Sequence, residues 1–124
     1  MSQAGLLRFT FDDDAALNLE AQRQVIATVV ATRSPHGVVL VVGPAVATID
    51  LKLVALWLEA IPALSACVSG LAIVSARSSV RLAARGFSLA ATLRQASFEV
   101  GIFADELEAG PWLQERLVVR LAGR

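Results

Sequence analysis

The sequence predicts an α/β fold with a mostly parallel sheet of four to five strands and covering helices. Two apolar runs, at 38–42 and 71–76, have the length and composition of strands that are buried on both faces. Segments with helical periodicity, long enough to cross over a sheet, separate these runs from each other and from two further strand candidates. Because such crossovers are short and right-handed, the alternation predicts one sheet, with any hairpin confined to its N-terminal edge.

The predicted strands and helices alternate along the chain. Strands are placed where apolar residues alternate or run without interruption, and helices where they recur every three to four residues. The order is strand 6–11, helix 19–33, strand 38–42, helix 51–61, strand 71–76, helix 77–95, strand 98–103 and a last helix from Asp105. Residues 12–14 and 34–37 are interpreted as turns, and 63–70 as a helical turn followed by a connector.

Apolar stripes mark the helix faces that should pack on the sheet. In helix 19–33 the stripe consists of Leu19, Val25, Ile26, Val29 and Val30. In helix 77–95 it consists of Val80, Ala83, Ala84, Phe87, Ala90 and Ala91.

Capping and breaking residues define the predicted helix ends. Asn18 and Asp50 can each accept a hydrogen bond from a free N–H group in the first turn of the helix that follows. Pro62 limits the second helix, and Asp105 with Glu108 matches a capping box at the start of the last one.

The last helix has two alternative descriptions because Gly110 and Pro111 interrupt it. A proline inside a helix removes one hydrogen bond and clashes with the preceding turn. The helix therefore either kinks there or restarts with Pro111 in its first turn. Residues 117–121 form a short apolar tail that needs a surface to cover.

Length and composition predict a single domain over residues 1–124 without a membrane span. The mean hydropathy of +0.63 is high, but charged residues interrupt every long apolar run. The formal charge of zero, from 11 basic and 11 acidic residues, disfavours nucleic acid as a partner. The N-terminal segment does not resemble a secretory signal and the single Cys67 has no internal disulfide partner, so we expect the cytoplasm.

The residues with reactive side chains do not combine into a catalytic or metal site. His36 lies in a predicted exposed turn and lacks a partner in the nearby sequence. Cys67 has apolar neighbours, which favours a buried thiol over a nucleophile. One Cys and one His do not supply the four ligands of a zinc site. We therefore expect no enzyme activity, no metal and no cofactor.

The loop after the first central strand, at 43–50, is the predicted crevice for a ligand or partner. Ligands of open α/β sheets bind beyond the carboxyl ends of the strands. The predicted crevice residues, from this loop and the helix after it, are Thr48, Asp50, Lys52, Trp57 and Leu58.

The helix at 51–61 is apolar nearly all round, since only Lys52 and Glu59 are charged. A helix that lies on one face of a sheet does not require this, so something else should cover it. The candidates are a second copy of the chain in a two-fold homodimer, an apolar ligand beneath the helix, or the tail at 117–121. Trp57 is predicted to lie in the core rather than against a ligand.

Arginines four residues apart form a ridge along the helix at 77–95. Together with the serines where this helix begins, they make a candidate anion site, because helix N-termini present free N–H groups to phosphate or carboxylate. The site residues are Arg77, Ser78, Ser79 and Arg81, and Arg85 continues the ridge. The alternative, which we favour, is the solvated face of an amphipathic helix.

Three stretches resemble the STAS superfamily, and more closely its SpoIIAA-like branch of small bacterial proteins. They are LAIVSA at 71–76, the arginine-bearing helix behind it, and FEVGIFADELEAGPWL at 98–113 with its acidic cap and Ala-x-x-Trp-Leu ending. The resemblance covers about residues 5–115. It implies a superhelical βα sheet, no catalysis, and either partner switching in sigma-factor control or carriage of small nonpolar molecules.

The switching proteins of this family carry an Asp-Ser-Ser-Gly-Leu motif with a phosphorylatable serine at the start of the second helix. Asp50 matches the motif, but Leu51 and Lys52 occupy the serine positions. Neither side chain can take a phosphate, so regulation by phosphorylation is not expected there. Thr48 lies just upstream and is interpreted as a loop hydroxyl.

The function predicted first is a carrier or sensor of a small nonpolar molecule. The second hypothesis is a protein-interaction module without the phosphorylatable serine, and an enzyme comes third. A closed apolar cavity would support the carrier, a flat apolar helix face the interaction module, and a pocket with perturbed titratable groups the enzyme.

Overall fold

The computed structural model describes residues 5–32 and 34–122, in which four strands alternate with helices. In chain order the elements are β1 (Leu6–Phe11), α1 (Leu19–Ala31), β2 (His36–Val42), α2 (Leu51–Glu59), α3 (Ile61–Ser65), β3 (Val68–Ser75), α4 (Ser78–Leu93), β4 (Glu99–Phe103) and α5 (Glu106–Ala122). The predicted α/β class and the order of its elements are confirmed. The last residue of the predicted first helix, Arg33, lies outside the described residues.

The sheet is parallel throughout and its strands follow the order β1-β2-β3-β4. Because the winding never reverses direction, right-handed crossovers place all the connecting helices on one face. We call this the crossover face. β2 and β3, the two apolar runs that were predicted to be buried on both faces, are the central strands, and β1 joins β2 in parallel rather than as a hairpin.

Alternate side chains of the central strands enter two separate cores. Val38 and Leu40 of β2 belong to the core of the crossover face, with α1, α2, α3 and α4. Val39 instead packs with Ala72 and Val74 of β3 and with Leu113 of α5. The strands are therefore apolar on both faces because both faces are covered.

Small residues let α5 lie close to the opposite face, which it covers alone among the described helices. A Cβ atom on Gly70 would lie 3.3 Å from the Cβ of Arg116 and 3.3 Å from Trp112 Cζ3. Trp112 also packs edge-on against Phe103, with 5.6 Å between ring centroids, and the Arg116 guanidinium lies 4.7 Å from the centre of its ring system. At Gly70 the absent side chain thus leaves space for Trp112 and Arg116 of α5.

The predicted exposed turn at 34–37 is wrong for His36, which is only 2% exposed. β2 begins at His36, whose N–H donates to the Cys67 carbonyl at 3.0 Å. β3 also begins earlier than predicted, at Val68, within the expected connector. His36 pairs with Val68 across a register irregularity between His36 and Gly37. The local sequence does not predict this irregularity, so the earlier strand starts were missed.

The inward stripe of α1 is rotated from its predicted position. Val25 and Val29 are buried, but Val30 is 38% exposed and Gln22 is buried in its place. Residues 22, 25 and 29 follow the helical spacing of three and four. The cap prediction is confirmed, since Asn18 Oδ1 accepts a hydrogen bond from the Ala21 N–H at 2.8 Å.

The predicted second helix, 51–61, is divided before Pro62 into two helices, α2 and α3. α2 stops at Glu59, and α3 carries Pro62 in its first turn, where a missing N–H costs nothing. In α5 the other proline, Pro111, is accommodated inside one helix that does not restart there. The carbonyl that loses its partner belongs to the exposed Leu107, on the solvent side.

Residues 117–121 are the last turns of α5 rather than a separate tail. Leu117 is buried, whereas Val118 and Val119 are exposed. Because α5 packs on the face opposite to the crossovers, these residues do not cover α2.

Candidate functional site

A cavity of about 80 Å³ lies between the crossover face of the sheet and helices α1, α2 and α4. Leu40 and Ile73 line it from the sheet, Trp57 from α2, and Ala83 and Phe87 from α4. None of the described residues that line it is charged. Since the strands send every second side chain to this face, β-branched and leucine side chains form its floor.

Gln22 is the polar exception in the cavity wall. It lies on the inward stripe of α1 and is 2% exposed. Its Oε1 accepts a hydrogen bond of 2.9 Å from the Trp57 indole N–H. Because that indole nitrogen can only donate, the amide oxygen must face it and the NH₂ group must point away. Gln22 Nε2 is buried and has no hydrogen-bond partner.

The loop at 43–50 and the start of α2 close one end of the cavity. Val46 of this loop is fully buried with Val42 and Val80, and Ile49 lies against them. Ile49 also lines the cavity. The predicted crevice is thus adjacent to an actual cavity, although the cavity extends beneath the helices rather than beyond the strand end.

The predicted crevice residues divide into two groups. Thr48, Asp50 and Lys52 are exposed and do not line the cavity, and Asp50 caps α2 by accepting from the Lys52 N–H at 2.8 Å. Trp57 is buried and does line it, so it belongs both to the core and to the site. Leu58 is half-buried and packs on the core away from the cavity lining.

The predicted anion-site residues contact the same loop. Arg77 Nε donates to the Pro44 carbonyl at 2.7 Å, and Ser79 Oγ donates to the Ala47 carbonyl at 2.6 Å.

The remaining predicted anion-site residues do not form a shared cluster with them. Arg81 Nη1 donates to the Ser75 carbonyl at 2.9 Å, while Ser78 is exposed. In this structure the side chains of Arg77, Ser79 and Arg81 thus donate hydrogen bonds to backbone carbonyls around the N-terminus of α4. The anion site stays a prediction.

Cys67 and His36 are buried beside the amino ends of the central strands. Burial raises the pKa of the Cys67 thiol, an effect that the nearby Arg120 charge opposes. A thiol with a raised pKa is a poor nucleophile, which agrees with the predicted buried thiol. His36 Nδ1 lies 2.7 Å from the Ser34 carbonyl, which can only accept, so Nδ1 carries the proton.

Sequence reasoning missed Gln22, the one polar side chain in the described lining besides the Trp57 indole. The available signal was its position: Gln22 precedes Val25, Ile26 and Val29 by three, four and seven residues. A polar residue at that spacing lies on the apolar face of its helix. The lining residues of α4, such as Ala83 and Phe87, belong to the stripe that was predicted to face the sheet. That pattern does not distinguish a cavity wall from a fully packed core.

Beyond the cavity, the described residues offer neither a metal-binding cluster nor a membrane-spanning helix. The described residues contain no group of three or more His, Cys, Asp or Glu side chains placed to hold a metal ion. Across 5–32 and 34–122, no helix combines the length and apolar character needed to cross a membrane. Comparisons of the chain with protein-family models, curated proteins and solved structures found no match.

Proposed function

We propose that this protein binds a small nonpolar molecule in the cavity beneath α2 and α4 and acts as its carrier or sensor, not as an enzyme. The observation that carries the proposal is the cavity wall, whose described lining residues are apolar except for the Gln22 amide and the Trp57 indole N–H. Most ligand pockets combine an apolar lining with a few polar groups that fix orientation. STAS superfamily membership and a cytoplasmic location belong to the same proposal, and the parallel α/β sheet supports the former.

The size of the cavity limits what it can hold. A dry engineered cavity of about 150 Å³ binds benzene, so a cavity of about 80 Å³ fits a smaller group. The bound molecule is therefore a few heavy atoms in size, or it is longer and inserts one end. Ile49, Val54 and Ala83 line the cavity and are only half-buried, which makes the gap between α2 and α4 the natural route of access.

Xenon binding tests the proposal without knowledge of the ligand. Under xenon pressure, methyl resonances of Leu40, Ile73 and Val80, which line the cavity, should shift in a saturable way. The variant Ala83→Leu places three more carbons at the cavity wall and should reduce these shifts by at least half. Ala90→Leu is the matched control, since Ala90 is also half-buried on α4 but does not line the cavity.

The same experiment can contradict the proposal. Methyl shifts that are absent in the parent protein would show that nothing apolar enters, and shifts that are equal in Ala83→Leu would show that xenon does not occupy the space beside Ala83. Native mass spectrometry of freshly purified protein adds an independent measurement, in which a retained nonpolar mass supports the carrier.

A protein-interaction module is the second candidate, and an exposed apolar face on α4 favours it. Leu82, Leu89 and Leu93 lie along one side of this helix and are 68%, 69% and 85% exposed. The homodimer predicted through α2 has less support, because Leu53 and Trp57 are covered by the protein itself. A second copy of the chain, docked on α4 in a two-fold dimer, is the partner we propose. Serine phosphorylation at the start of α2 is not available as a switch for such a module, because Leu51 and Lys52 occupy the serine positions of the family motif.

Sedimentation distinguishes these surfaces. If α4 forms the dimer, Leu89→Glu should yield monomers at tens of micromolar, whereas Leu58→Glu and the α5 variant Leu107→Glu should remain dimeric. A monomeric parent protein would remove the dimer and leave the carrier as the candidate.

A further inference from the structure

We propose that the outer face of α4 docks on the surface of a membrane that contains anionic phospholipids. This face consists of Leu82, Leu89 and Leu93, with arginines beside them. The inference goes beyond the proposed carrier, because docking on a bilayer requires neither the cavity nor its ligand. It follows from exposed apolar side chains on a helix that carries positive charges and no negative ones.

The leucines form a stripe on the side of α4 that faces away from the protein. Positions 82, 89 and 93 are separated by seven and four residues, so they share one side of the helix. Buried residues such as Val80 and Phe87 occupy the opposite side, towards the sheet. None of the three leucines packs into a hydrophobic cluster of the described residues. A contiguous exposed stripe of this kind is typical of an interaction surface.

Arginines accompany this stripe along the whole helix. Arg81 and Arg85 lie on α4, Arg77 is its N-cap and Arg94 its C-cap. Within the described part of the chain, none of them forms a salt bridge. The range 60–98 contains no aspartate or glutamate. Positive charge is therefore concentrated on this helix, although the formal charge of the whole chain is zero.

The carboxylates of the neighbouring elements do not neutralise this charge. α4 packs against α2, β3 and β4, whose acidic residues are Glu59 and Glu99. Glu99 is paired with Arg116 of α5 at 2.6 Å. Even with Glu59 counted against one arginine, the surface around α4 keeps a net positive charge.

A bilayer with anionic lipids matches both properties of the face. Helices that lie at a membrane surface bury apolar side chains at the boundary between headgroups and acyl chains. Arginines beside the apolar stripe can extend to the lipid phosphates, because their long side chains carry the charge away from the helix axis. Each basic residue near an anionic surface adds to the affinity, so the leucines and arginines of α4 should act together.

Charge separates the bilayer from the other occupants of an apolar face. A two-fold dimer through α4 would bring the arginines of both copies together, and like charges in an interface are unfavourable. The exposed apolar face of α5 has the opposite charge, since Leu107 lies between Glu106 and Glu108. Anionic lipid would repel those carboxylates, so the charges select α4 for the membrane.

α4 also connects the docking face with the cavity. Ala83, which follows Leu82 in the chain, lines the cavity and is half-buried at the gap between α2 and α4. Docking through α4 would therefore bring this gap close to the bilayer, in which nonpolar molecules dissolve.

Sedimentation with lipid vesicles tests the docking. The probes are vesicles of phosphatidylcholine alone and vesicles of an equal mixture of phosphatidylcholine and phosphatidylglycerol. The parent protein should bind the mixed vesicles at least about tenfold more tightly than the neutral ones, because several arginines contribute. Added salt should weaken this binding, since it screens exposed charges.

Matched variants isolate the contribution of the face. Arg85→Gln should weaken binding to the mixed vesicles about fivefold, as expected for one basic residue at an anionic surface. Leu89→Ser should weaken it about tenfold or more, because a leucine no longer leaves water. The controls Arg23→Gln on α1 and Leu107→Ser on α5 should bind like the parent. All four side chains are exposed, so the variants should fold, as circular dichroism can verify.

The inference is overturned if the parent protein binds neither kind of vesicle or binds both equally. It is also overturned if Arg85→Gln and Leu89→Ser bind the mixed vesicles as the parent does. A parent protein that ignores the vesicles and sediments as a dimer, which Leu89→Glu dissociates, would assign the face to a second copy instead. Xenon binding tests the cavity separately, so a failure of the docking leaves the carrier standing.

Discussion

Gly43 occupies a position where the backbones of two strand ends meet. Its N–H donates to the Phe11 carbonyl at 2.8 Å, and a Cβ added to it would lie 2.8 Å from the Asp12 carbonyl oxygen. Because the obstructing atom is backbone, no side-chain rotation relieves the clash. We predict that Gly43→Ala lowers the free energy of unfolding by about 1–3 kcal/mol, as overpacking does elsewhere, measured by urea denaturation.

Gly86 is the matched control for this prediction. It lies in the exposed part of α4, and a Cβ there would meet nothing within 4 Å. Gly86→Ala should therefore raise the free energy of unfolding by roughly 0.5–1 kcal/mol, because alanine loses less backbone entropy in a helix. Equal changes in both variants would contradict the close approach at Gly43.

An ion pair between Arg8 and Glu106 makes stability depend on pH. Arg8 Nη2 donates to Glu106 Oε1 at 2.8 Å, and this contact lowers the pKa of Glu106. Since the folded state then binds its proton less readily than the unfolded chain, the pair stabilises above the ordinary carboxyl pKa of about 4.3. That contribution is lost as the pH falls through the lowered pKa of the folded state.

We predict that Glu106→Gln loses about 0.5 kcal/mol at pH 7, a small effect because both side chains are well exposed to solvent. The difference from the parent protein should vanish near pH 3, as measured by urea denaturation across this range. Arg8→Met should behave in the same way and the double variant should add little. If the difference in free energy of unfolding between the parent protein and Glu106→Gln grew towards low pH, the stabilisation by this ion pair would be contradicted.

Arg120 connects the end of α5 with α3 and β3, which lie more than 50 residues earlier in the chain. From the end of α5, its guanidinium donates to the carbonyls of Val68, at the start of β3, and of Ser65 and Ala66, at the end of α3. The last carbonyls of a helix lack partners within it, and a cation there also meets the negative end of the helix dipole. The Arg120 side chain thus caps the C-terminal end of α3 and holds the last turn of α5 against it.

We predict that Arg120→Met lowers the free energy of unfolding by about 1–3 kcal/mol, since three carbonyls lose a charged donor. Arg120→Lys should recover only part of this loss because an ammonium cannot match the planar fork. Arg85→Met, on the exposed side of α4, should change stability by less than about 0.5 kcal/mol. Calorimetry of the three variants provides the measurement. Equal losses of stability in Arg120→Met and Arg85→Met would show that the hydrogen bonds of Arg120 do not stabilise the fold.

At the scale of the whole molecule, the order of the sheet predicts where it is most stable. Amides of β2 and β3 can pair on both sides, whereas β1 and β4 each have one neighbouring strand. We expect amides at 39–41 and 71–74 to exchange hydrogen only through global unfolding, and alternate amides of β1 and β4 to exchange faster. Hydrogen exchange followed by NMR would contradict this if the edge strands were protected equally along their length.

The sequence by itself determined the layered architecture. The runs at 38–42 and 71–76 were predictable because a strand covered on both faces has to be apolar at every position. Asn18 and Asp50 were recognisable as caps because capping needs only a side-chain oxygen near the first turn. Both signals are local, and tertiary packing reinforces them.

Only the tertiary structure decided the cavity and the atoms that face it. Gln22 and Trp57 are 35 residues apart, and their hydrogen bond exists because α1 and α2 pack side by side on the same face. The burial of His36, and the contacts of Arg77 and Ser79 with the loop at 43–50, likewise depend on distant segments. Periodicity predicts which side of a helix faces inward, but a void and an unpaired donor depend on how well several elements fit together.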